Sequence, residues 1–370
     1  MGDGDVSTAE LGLTPKDMGI GEQPNTEAIV KAHSKIIRFD TPEYFAAYAE
    51  FKDKQPPMIF SFKTPDGNNT IDLVGTQHAH QMPDQEKRAA MVAKINESLG
   101  SYLEKTSIGP RGRLLMIEGM SIPDTTTIED RITKHTEAVN KIILDQGITT
   151  EQQAVEKFGE MGAVMLTAVK EGLPIMSPEP SPEEIIAKLK EEGIAEIDIA
   201  LKQALLNLDI NVHRGELKNE KKYAQGEVFK ALTDASLQSG WKKDFTDEVK
   251  AKLTGNSESD GQLMKEYIDK ILPQLNEQMK KNNVGFDLVG PDLSWSYDPG
   301  DRQVYNRLHS PASEIAVFNK MSNITGEFRD DYILDRIVDS VEAEKSPFMV
   351  YGDGHVIKLK PAVESLYPQL

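Results

Sequence analysis

The sequence predicts an α/β fold with a mixed, largely parallel central sheet that is flanked by helices and interrupted by a helical insertion. Short apolar β-type runs alternate with long segments of helical periodicity in the first half of the chain. A charge-rich stretch with helical periodicity and few strand signals follows at 181–283. Strand and helix signals then alternate again. Such alternation is typical of a parallel or mixed sheet covered by helices.

The N-terminal part of the chain predicts a tail, a helix and a hairpin. Residues 1–26 are rich in Gly, Asp, Thr and Glu and are expected to be disordered. A short helix is expected at 42–51, and strands are expected at 58–63 and 70–74. The segment between these strands contains Pro-Asp-Gly, which supplies the fixed φ and the left-handed position of a tight turn.

The core continues to residue 180, and its second half is expected at 284–370. The first half, 27–180, adds a helix at 84–104, a strand at 113–117, helices near 127–146 and 151–171, and a strand at 173–176. After the insertion we expect a strand at 283–289, helices at 312–321 and 328–343, a strand at 348–351 and a last helix from about Lys360-Pro361.

Composition excludes several classes of function. Acidic residues outnumber basic ones 60 to 42 in a chain of 370 residues, which gives a formal net charge of -18. This charge repels phosphate backbones and anionic lipid, so binding to nucleic acid or to a membrane surface is not expected. The absence of cysteine excludes disulfides, thiolate nucleophiles and zinc–sulfur sites. No run approaches 18 apolar residues, and no targeting peptide is evident, so we expect a cytoplasmic protein.

Four short polar turns each follow an apolar strand-like run. They are Gly75–His78, Glu118–Gly119, Ser177–Glu179 and Gly352–His355. The carboxyl ends of parallel strands meet at one edge of a sheet, so we expect the two histidines and two glutamates of these turns to converge. Ordinary solvated glutamates and structural histidines are the alternative interpretation.

An arginine joins this set. Arg329 lies one helical turn before Ile333, on the apolar face of the helix predicted at 328–343. An inward-facing guanidinium cannot lose its charge, so it needs a carboxylate or an anionic substrate as a partner. Glu118 and Glu179 are the carboxylates that could serve. The alternative is a charged residue at a helix end whose head group reaches water.

Imidazole and carboxylate groups together suit metal binding or acid–base hydrolysis. We predict His78, Glu118, Glu179, Arg329 and His355 as catalytic residues, and His78, Glu118 and His355 as ligands of a divalent metal such as Mn, Co, Zn or Fe. His80 is a candidate for a supporting position. The histidines that lack a strand-end context are taken as structural; they are His33, His135, His213 and His309.

These motifs resemble those of the clan that joins the TraB and TIKI proteins, the erythromycin-esterase-like proteins and the ChaN-like haem-binding proteins. Its Gly-x-x-His motif matches Gly75–His78, its strand-end Glu matches Glu118, its late-helix Arg matches Arg329, and its terminal Gly-x-x-His matches Gly352–His355. The resemblance implies a mixed sheet with paired Glu and His residues in a central cleft.

Members of the clan include metal-dependent peptidases, esterases and haem-binding proteins, so the resemblance does not fix a reaction. The leading hypothesis is a hydrolase of a small-molecule or peptide substrate, acting with or without a divalent metal. The alternative is a non-catalytic protein that binds haem or a metal. A third hypothesis is a scaffold whose helical insertion docks partners.

Overall fold

The computed structural model describes residues 24–39, 41–52, 57–64, 70–77, 84–105, 112–120, 127–213, 221–255, 257–282 and 316–370. The chain divides into two compact units. One consists of Met1–Ser181 together with Arg329–Leu370, and the other is Pro182–Phe328. The second unit covers the helical stretch that the sequence placed at 181–283, and it continues through residue 328.

A mixed sheet forms the centre of the first unit. Its strands are β1 (Met58–Lys63), β2 (Thr70–Thr76), β3 (Arg113–Ile117), β4 (Ile175–Met176) and β5 (Ser346–Gly352). Among the described residues they form five strands in the order β1-β2-β5-β3-β4. β1 is antiparallel to β2, and the other pairs are parallel. The predicted mixed, largely parallel sheet is therefore confirmed.

Helices cover both faces of this sheet. In the first unit these are α1 (Thr26–His33), α2 (Pro42–Lys52), α3 (Gln85–Lys105), α4 (Ile128–Asp145), α5 (Glu151–Phe158) and α6 (Glu160–Glu171), followed after the second unit by part of α12 (Ala316–Glu342) and by α13 (Asp353–Leu366). Met349 and Tyr351 of β5 pack in one apolar cluster with α12 and α13. Phe348 and Val350 pack in another with α3, α4 and α6. Side chains alternate along a strand, so β5 is buried on both faces.

The second unit is helical throughout its described residues. Its helices are α7 (Pro182–Glu191), α8 (Glu196–His213), α9 (Lys221–Ser239), α10 (Lys243–Lys252), α11 (Ser257–Lys281) and the first part of α12. They enclose their own apolar core, which includes Ile199, Leu205, Ile271, Leu275 and Phe318. The strand predicted at 283–289 lies outside the described residues. None of the helices in the described part of the chain is long and apolar enough to span a membrane.

Two helix boundaries near the N-terminal half differ from the prediction. The tail was predicted to reach residue 26, but α1 already begins at Thr26 because the side chain of Asn25 caps it by accepting a hydrogen bond from the backbone N–H of Ala28. The helix predicted at 151–171 is broken at Gly159, where φ is 63°. The break folds α6 back against α5 so closely that a Cβ on Gly162 would lie 2.1 Å from the carbonyl oxygen of Ala154.

Two boundaries near the C-terminal half also differ. The helices predicted at 312–321 and 328–343 are, within the described residues, one helix, α12, and Gly326 does not interrupt it. The last helix starts at Asp353 rather than near Lys360. Pro361 is tolerated inside α13, because buried Val356, Ile357 and Leu359 hold the turns before it. His355 is therefore in the first turn of a helix.

Candidate active site

The carboxyl ends of β3 and β5 are held together by Glu118. These strands are parallel neighbours, with Ile117 opposite Val350, so Glu118 follows β3 beside the end of β5. Oxygen Oε2 of Glu118 accepts a hydrogen bond from the backbone N–H of Gly352 at 2.9 Å. Gly352 is the residue before α13, and the Glu118 side chain thus positions the start of the helix that carries His355.

A close approach of backbones brings the same helix to the end of β2. A Cβ on Gly75 would lie 3.3 Å from the Cα of Asp353 and 3.3 Å from the Cβ of Val356. Glycine at position 75 therefore lets the first turn of α13 lie against β2. Gly75 is the first residue of the Gly-x-x-His motif, whose histidine, His78, lies outside the described residues.

Arg329 of α12 lies between the two predicted glutamates. Its Nη2 donates to the carboxylate of Glu179 and lies 3.6 Å from Oε1 of Glu118. Burial would lower the pKa of Arg329, but Glu179, Tyr351 and Glu118 together outweigh it, and the pKa is raised. One permanently charged guanidinium therefore interacts with two carboxylates that follow different strands.

Glu179 is fixed as an ionised acceptor. Besides Arg329, it accepts a hydrogen bond from the hydroxyl of Tyr351 at 2.5 Å. Burial alone would raise the pKa of Glu179, but the charge of Arg329 and these hydrogen bonds lower it. The pKa of buried Tyr351 is raised well above its ordinary value by burial and by Glu179, so its hydroxyl stays a donor.

The loop that carries Glu179 is held from the backbone side by a buried arginine. Nη1 of Arg131 on α4 donates to the carbonyl oxygen of Glu179 at 3.0 Å, and Nη2 donates to the hydroxyl of Tyr332 at 2.5 Å. The guanidinium also lies 5.3 Å from the centre of the Tyr332 ring. The position of the Glu179 carboxylate is thus fixed by contacts to both its side chain and its backbone carbonyl.

Asp330, the neighbour of Arg329, holds His355. Its Oδ1 lies 2.7 Å from Nδ1 of His355, and its Oδ2 accepts from Nζ of Lys358 at 2.5 Å. Burial would raise the pKa of Asp330, but the contacts with His355 and Lys358 lower it, so the carboxylate is ionised.

An ionised carboxylate can only accept a hydrogen bond, so Nδ1 of His355 carries the proton and Nε2 is left with its lone pair in the neutral ring. The tautomer is assigned from this partner. Nε2 has no hydrogen-bond partner among the described residues, and the side chain is 19% exposed. The edge of this imidazole meets the ring of Tyr351, with 5.4 Å between ring centres. Tyr351 therefore touches both the Asp330–His355 pair and Glu179.

The structure brings together four of the five predicted catalytic residues: Glu118, Glu179, Arg329 and His355. The fifth, His78, lies outside the described residues, as do His80 and His309. Two histidines that we took as structural have structural contacts. His33 lies between Asp331 and Asp335, and His135 lies between the carbonyl oxygens of Arg131 and Met120.

Sequence reasoning missed Asp330, Tyr351 and Lys358. Asp330 stands beside Arg329 in the sequence, and adjacent residues on a helix project about 100° apart, so both can enter one site from one helix end. Lys358 lies three residues after His355 and shares its helix face. This spacing could not be recognised from the sequence, because the helix was expected to start near Lys360, after both His355 and Lys358.

No group of three or more His, Asp or Glu side chains in the described part of the chain is arranged to hold a metal ion. Of the predicted ligands, only Glu118 and His355 are among these residues.

No protein-family model, curated protein or solved structure matches this chain.

Proposed function

We propose that this chain is a cytoplasmic hydrolase that cleaves an acyl bond, an ester or a peptide, with water activated at His355. The Asp330–His355 contact of 2.7 Å carries this proposal, because it fixes the tautomer in which Nε2 is a base. The side chain is partly exposed, so water can reach that nitrogen. The resemblance to the TraB, TIKI and erythromycin-esterase-like proteins supports the same class of reaction.

In the proposed reaction a proton moves from water to His355, and His355 then gives a proton to the leaving group. Nε2 of His355 takes a proton from water while the water oxygen bonds to the carbonyl carbon, and the carbonyl oxygen becomes negative. Asp330 stabilises the imidazolium that forms, as a positioning residue. The imidazolium then gives its proton to the leaving alcohol or amine as the acyl bond breaks. The products are a carboxylic acid and that alcohol or amine.

Arg329 is the group we assign to the negative oxygen. A guanidinium has five N–H donors, and the contacts with Glu179 and Glu118 involve only Nη2. Its side chain is 27% exposed, which leaves donors for a ligand. Glu179 holds this guanidinium in place before substrate binds, and a preorganised donor costs little reorganisation during the reaction.

The charges of the site favour an uncharged acyl group over a phosphoester. Among the described residues, three carboxylates from Glu118, Glu179 and Asp330 lie with two basic side chains, Arg329 and Lys358. A phosphoester dianion would meet net negative charge here, whereas an ester or amide carbonyl brings none.

A panel of aryl esters and short peptides, assayed with the full chain, tests this proposal. We expect turnover that His355→Ala reduces by about 10²- to 10⁴-fold, the usual range for losing a general base. His33→Ala is the matched control, since His33 also contacts carboxylates but lies outside the site. Absence of turnover across the panel, or equal loss in both variants, would overturn the proposal.

A divalent metal is a second proposal for the same residues. Histidines that bind metal commonly donate their other ring nitrogen to a carboxylate, as His355 does to Asp330. The ligands would be His355, Glu118 and His78, and a metal would supply a bound water of lowered pKa. His78 lies outside the described residues, which do not complete this set.

A non-catalytic haem-binding protein is the alternative that the resemblance also implies. Addition of haemin separates it from a hydrolase, because a Soret band that His355→Ala abolishes, without turnover of any panel substrate, would favour binding over hydrolysis.

A further inference from the structure

A cavity in the second unit is lined mainly by basic and aromatic side chains. Its volume is about 700 Å³, and it lies at the start of α10. The lining residues are Gly240, Lys242, Lys243, Asp244, Phe245 and Lys270. The lining thus includes three lysines and one aspartate, in a chain whose net charge is -18, and the Lys190–Glu196 ion pair lies beside Gly240. A cavity of this size can hold a small organic ligand.

Some lysines of this unit are ion-paired and others are not. Six described lysines of the unit have carboxylate partners within 4.0 Å: Lys188, Lys190, Lys250, Lys252, Lys265 and Lys281. Among the described residues, Lys242, Lys243 and Lys270 have none, and Lys202, Lys230, Lys280 and Lys320 also have no carboxylate within 4.0 Å. Lys243 and Lys270 are exposed, so solvent and salt weaken their mutual repulsion, but a multivalent anion bound among the three cavity lysines would be attracted to all of them.

Aromatic rings lie directly beside these charges. Nζ of Lys242 lies 5.6 Å from the centre of the Trp241 ring, and Nζ of Lys270 lies 5.6 Å from that of Phe245. Phe245 is itself held by stacking on Tyr267, with 5.5 Å between ring centres. A ligand that carries both negative charge and an apolar or planar part would contact both kinds of side chain.

We propose that this cavity binds a small organic phosphate carrying two or more negative charges. Lysine ammonium groups bind phosphate as point charges, and three of them would more than balance Asp244. The N–H groups of the first turn of α10 lie at the same place and would add to the attraction. This site is independent of the hydrolysis proposed for the first unit.

Tryptophan fluorescence gives a direct test. The chain has two tryptophans, so a Trp295→Phe background leaves Trp241 as the reporter beside Lys242. ADP and inorganic pyrophosphate are titrated into the full chain, with sodium chloride of equal ionic strength as the blank. We expect a saturable change with both phosphates, and tighter binding of ADP if its ring meets Phe245 or Trp241.

Charge-matched variants decide whether the cavity is responsible. The triple variant Lys242→Gln, Lys243→Gln, Lys270→Gln should weaken binding at least about tenfold, or 1.4 kcal/mol. The control triple, Lys94→Gln, Lys230→Gln, Lys280→Gln, removes three exposed lysines that form no ion pair with the described residues, and it should bind as the parent does. If the cavity triple fails to fold by circular dichroism, Lys270→Gln is compared with Lys280→Gln in the same assay.

Two results would overturn the proposal. One is a response to the phosphates at millimolar concentration no larger than the response to sodium chloride. The other is equal weakening in the cavity variants and their controls, which would show a general effect of net charge. Equal affinity for pyrophosphate and ADP would support the phosphate site but contradict a contact between the ligand and the rings of Phe245 or Trp241.

Discussion

Oδ1 of Asp330 lies 2.7 Å from Nδ1 of His355, although the two residues belong to different helices. The whole central strand β5 lies between them in the sequence. The next residue, Asp331, contacts a different histidine outside the candidate active site. Its Oδ1 lies 3.2 Å from Nδ1 of His33. Two adjacent aspartates on one helix thus each contact a histidine, one inside the site and one outside it. The Asp331–His33 contact therefore provides a control with the same two residue types and with its aspartate on the same helix.

Asp330→Asn should reduce turnover by about 10²- to 10⁴-fold, because an amide no longer fixes the ring tautomer or stabilises an imidazolium. Asp331→Asn should leave turnover unchanged. The double variant Asp330→Asn, His355→Ala should lose little more than His355→Ala alone, since the two residues act as a unit. Additive losses in kcat would show that Asp330 does not act through His355.

Arg329→Ala should destabilise the fold by about 3 kcal/mol, since it leaves Glu179 without its counter-charge in a largely buried position. Lys134→Ala breaks the exposed pair with Asp130 on α4 and should cost about 0.5 kcal/mol or less. Urea unfolding of both variants gives the two values. Similar small losses would mean that solvent compensates the Glu179 charge.

Stability should fall as the pH is lowered through the acid range, and Glu179 should contribute to the loss. Its folded-state pKa lies below the ordinary value of 4.5, so its stabilisation is present above about pH 4.5 and disappears as the pH falls through the folded pKa. Arg329, Tyr351 and His355 are the charged or titratable groups that act on it. In Glu179→Gln the urea midpoint should fall less steeply between pH 5 and pH 3. An unchanged slope would contradict this assignment.

Gly162→Ala should destabilise the first unit by about 1–3 kcal/mol or more, since the new methyl group would lie 2.1 Å from the carbonyl oxygen of Ala154. Gly100 lies inside α3, and a Cβ there would meet no atom within 4 Å among the described residues, its own helix backbone and chain neighbours aside. Gly100→Ala should therefore stabilise by about 0.5–1 kcal/mol, through helix propensity. Thermal unfolding midpoints that moved in the same direction for both variants would argue against the close α5–α6 contact.

Metal content should separate the two proposed forms of the active site. If a divalent ion is bound, elemental analysis should find it in the parent chain and much less in the His78→Ala, His355→Ala double variant. Occupancy should also fall as the pH is lowered, because imidazoles must be unprotonated to bind. Negligible metal in both proteins, with turnover that a chelator does not affect, would contradict the metal proposal and leave the Asp330–His355 mechanism in place.

The sheet could be predicted from sequence because its strands are short apolar runs between recognisable turns. β3 and β5 are apolar on both faces, which is typical of central strands, and the Pro-Asp-Gly turn indicated the hairpin of β1 and β2. The order β2-β5-β3 could not be predicted, since local patterns do not specify which parallel strands pair.

The site was predictable to the extent that it depends on strand ends. Glu118, Glu179 and His355 follow strands, and their position after an apolar run was a usable signal. Asp330 and Lys358 lie on helices, where a charged residue most often faces water, so nothing local distinguished them. The start of α13 was missed because Pro361 favoured a later boundary, although tertiary packing overrides that preference.

The position of β5 has a consequence for how the protein is made. Within the described residues, β1-β2 and β3-β4 are hydrogen-bonded to each other only through β5, which comes after both pairs in the chain. During translation we therefore expect β2 and β3 to lack their β5 partner until residues 346–352 are synthesised, and unpaired strand edges favour aggregation. Folding of the sheet and creation of the Glu118–Gly352 contact are then one late, long-range event, which favours slow folding and dependence on chaperones.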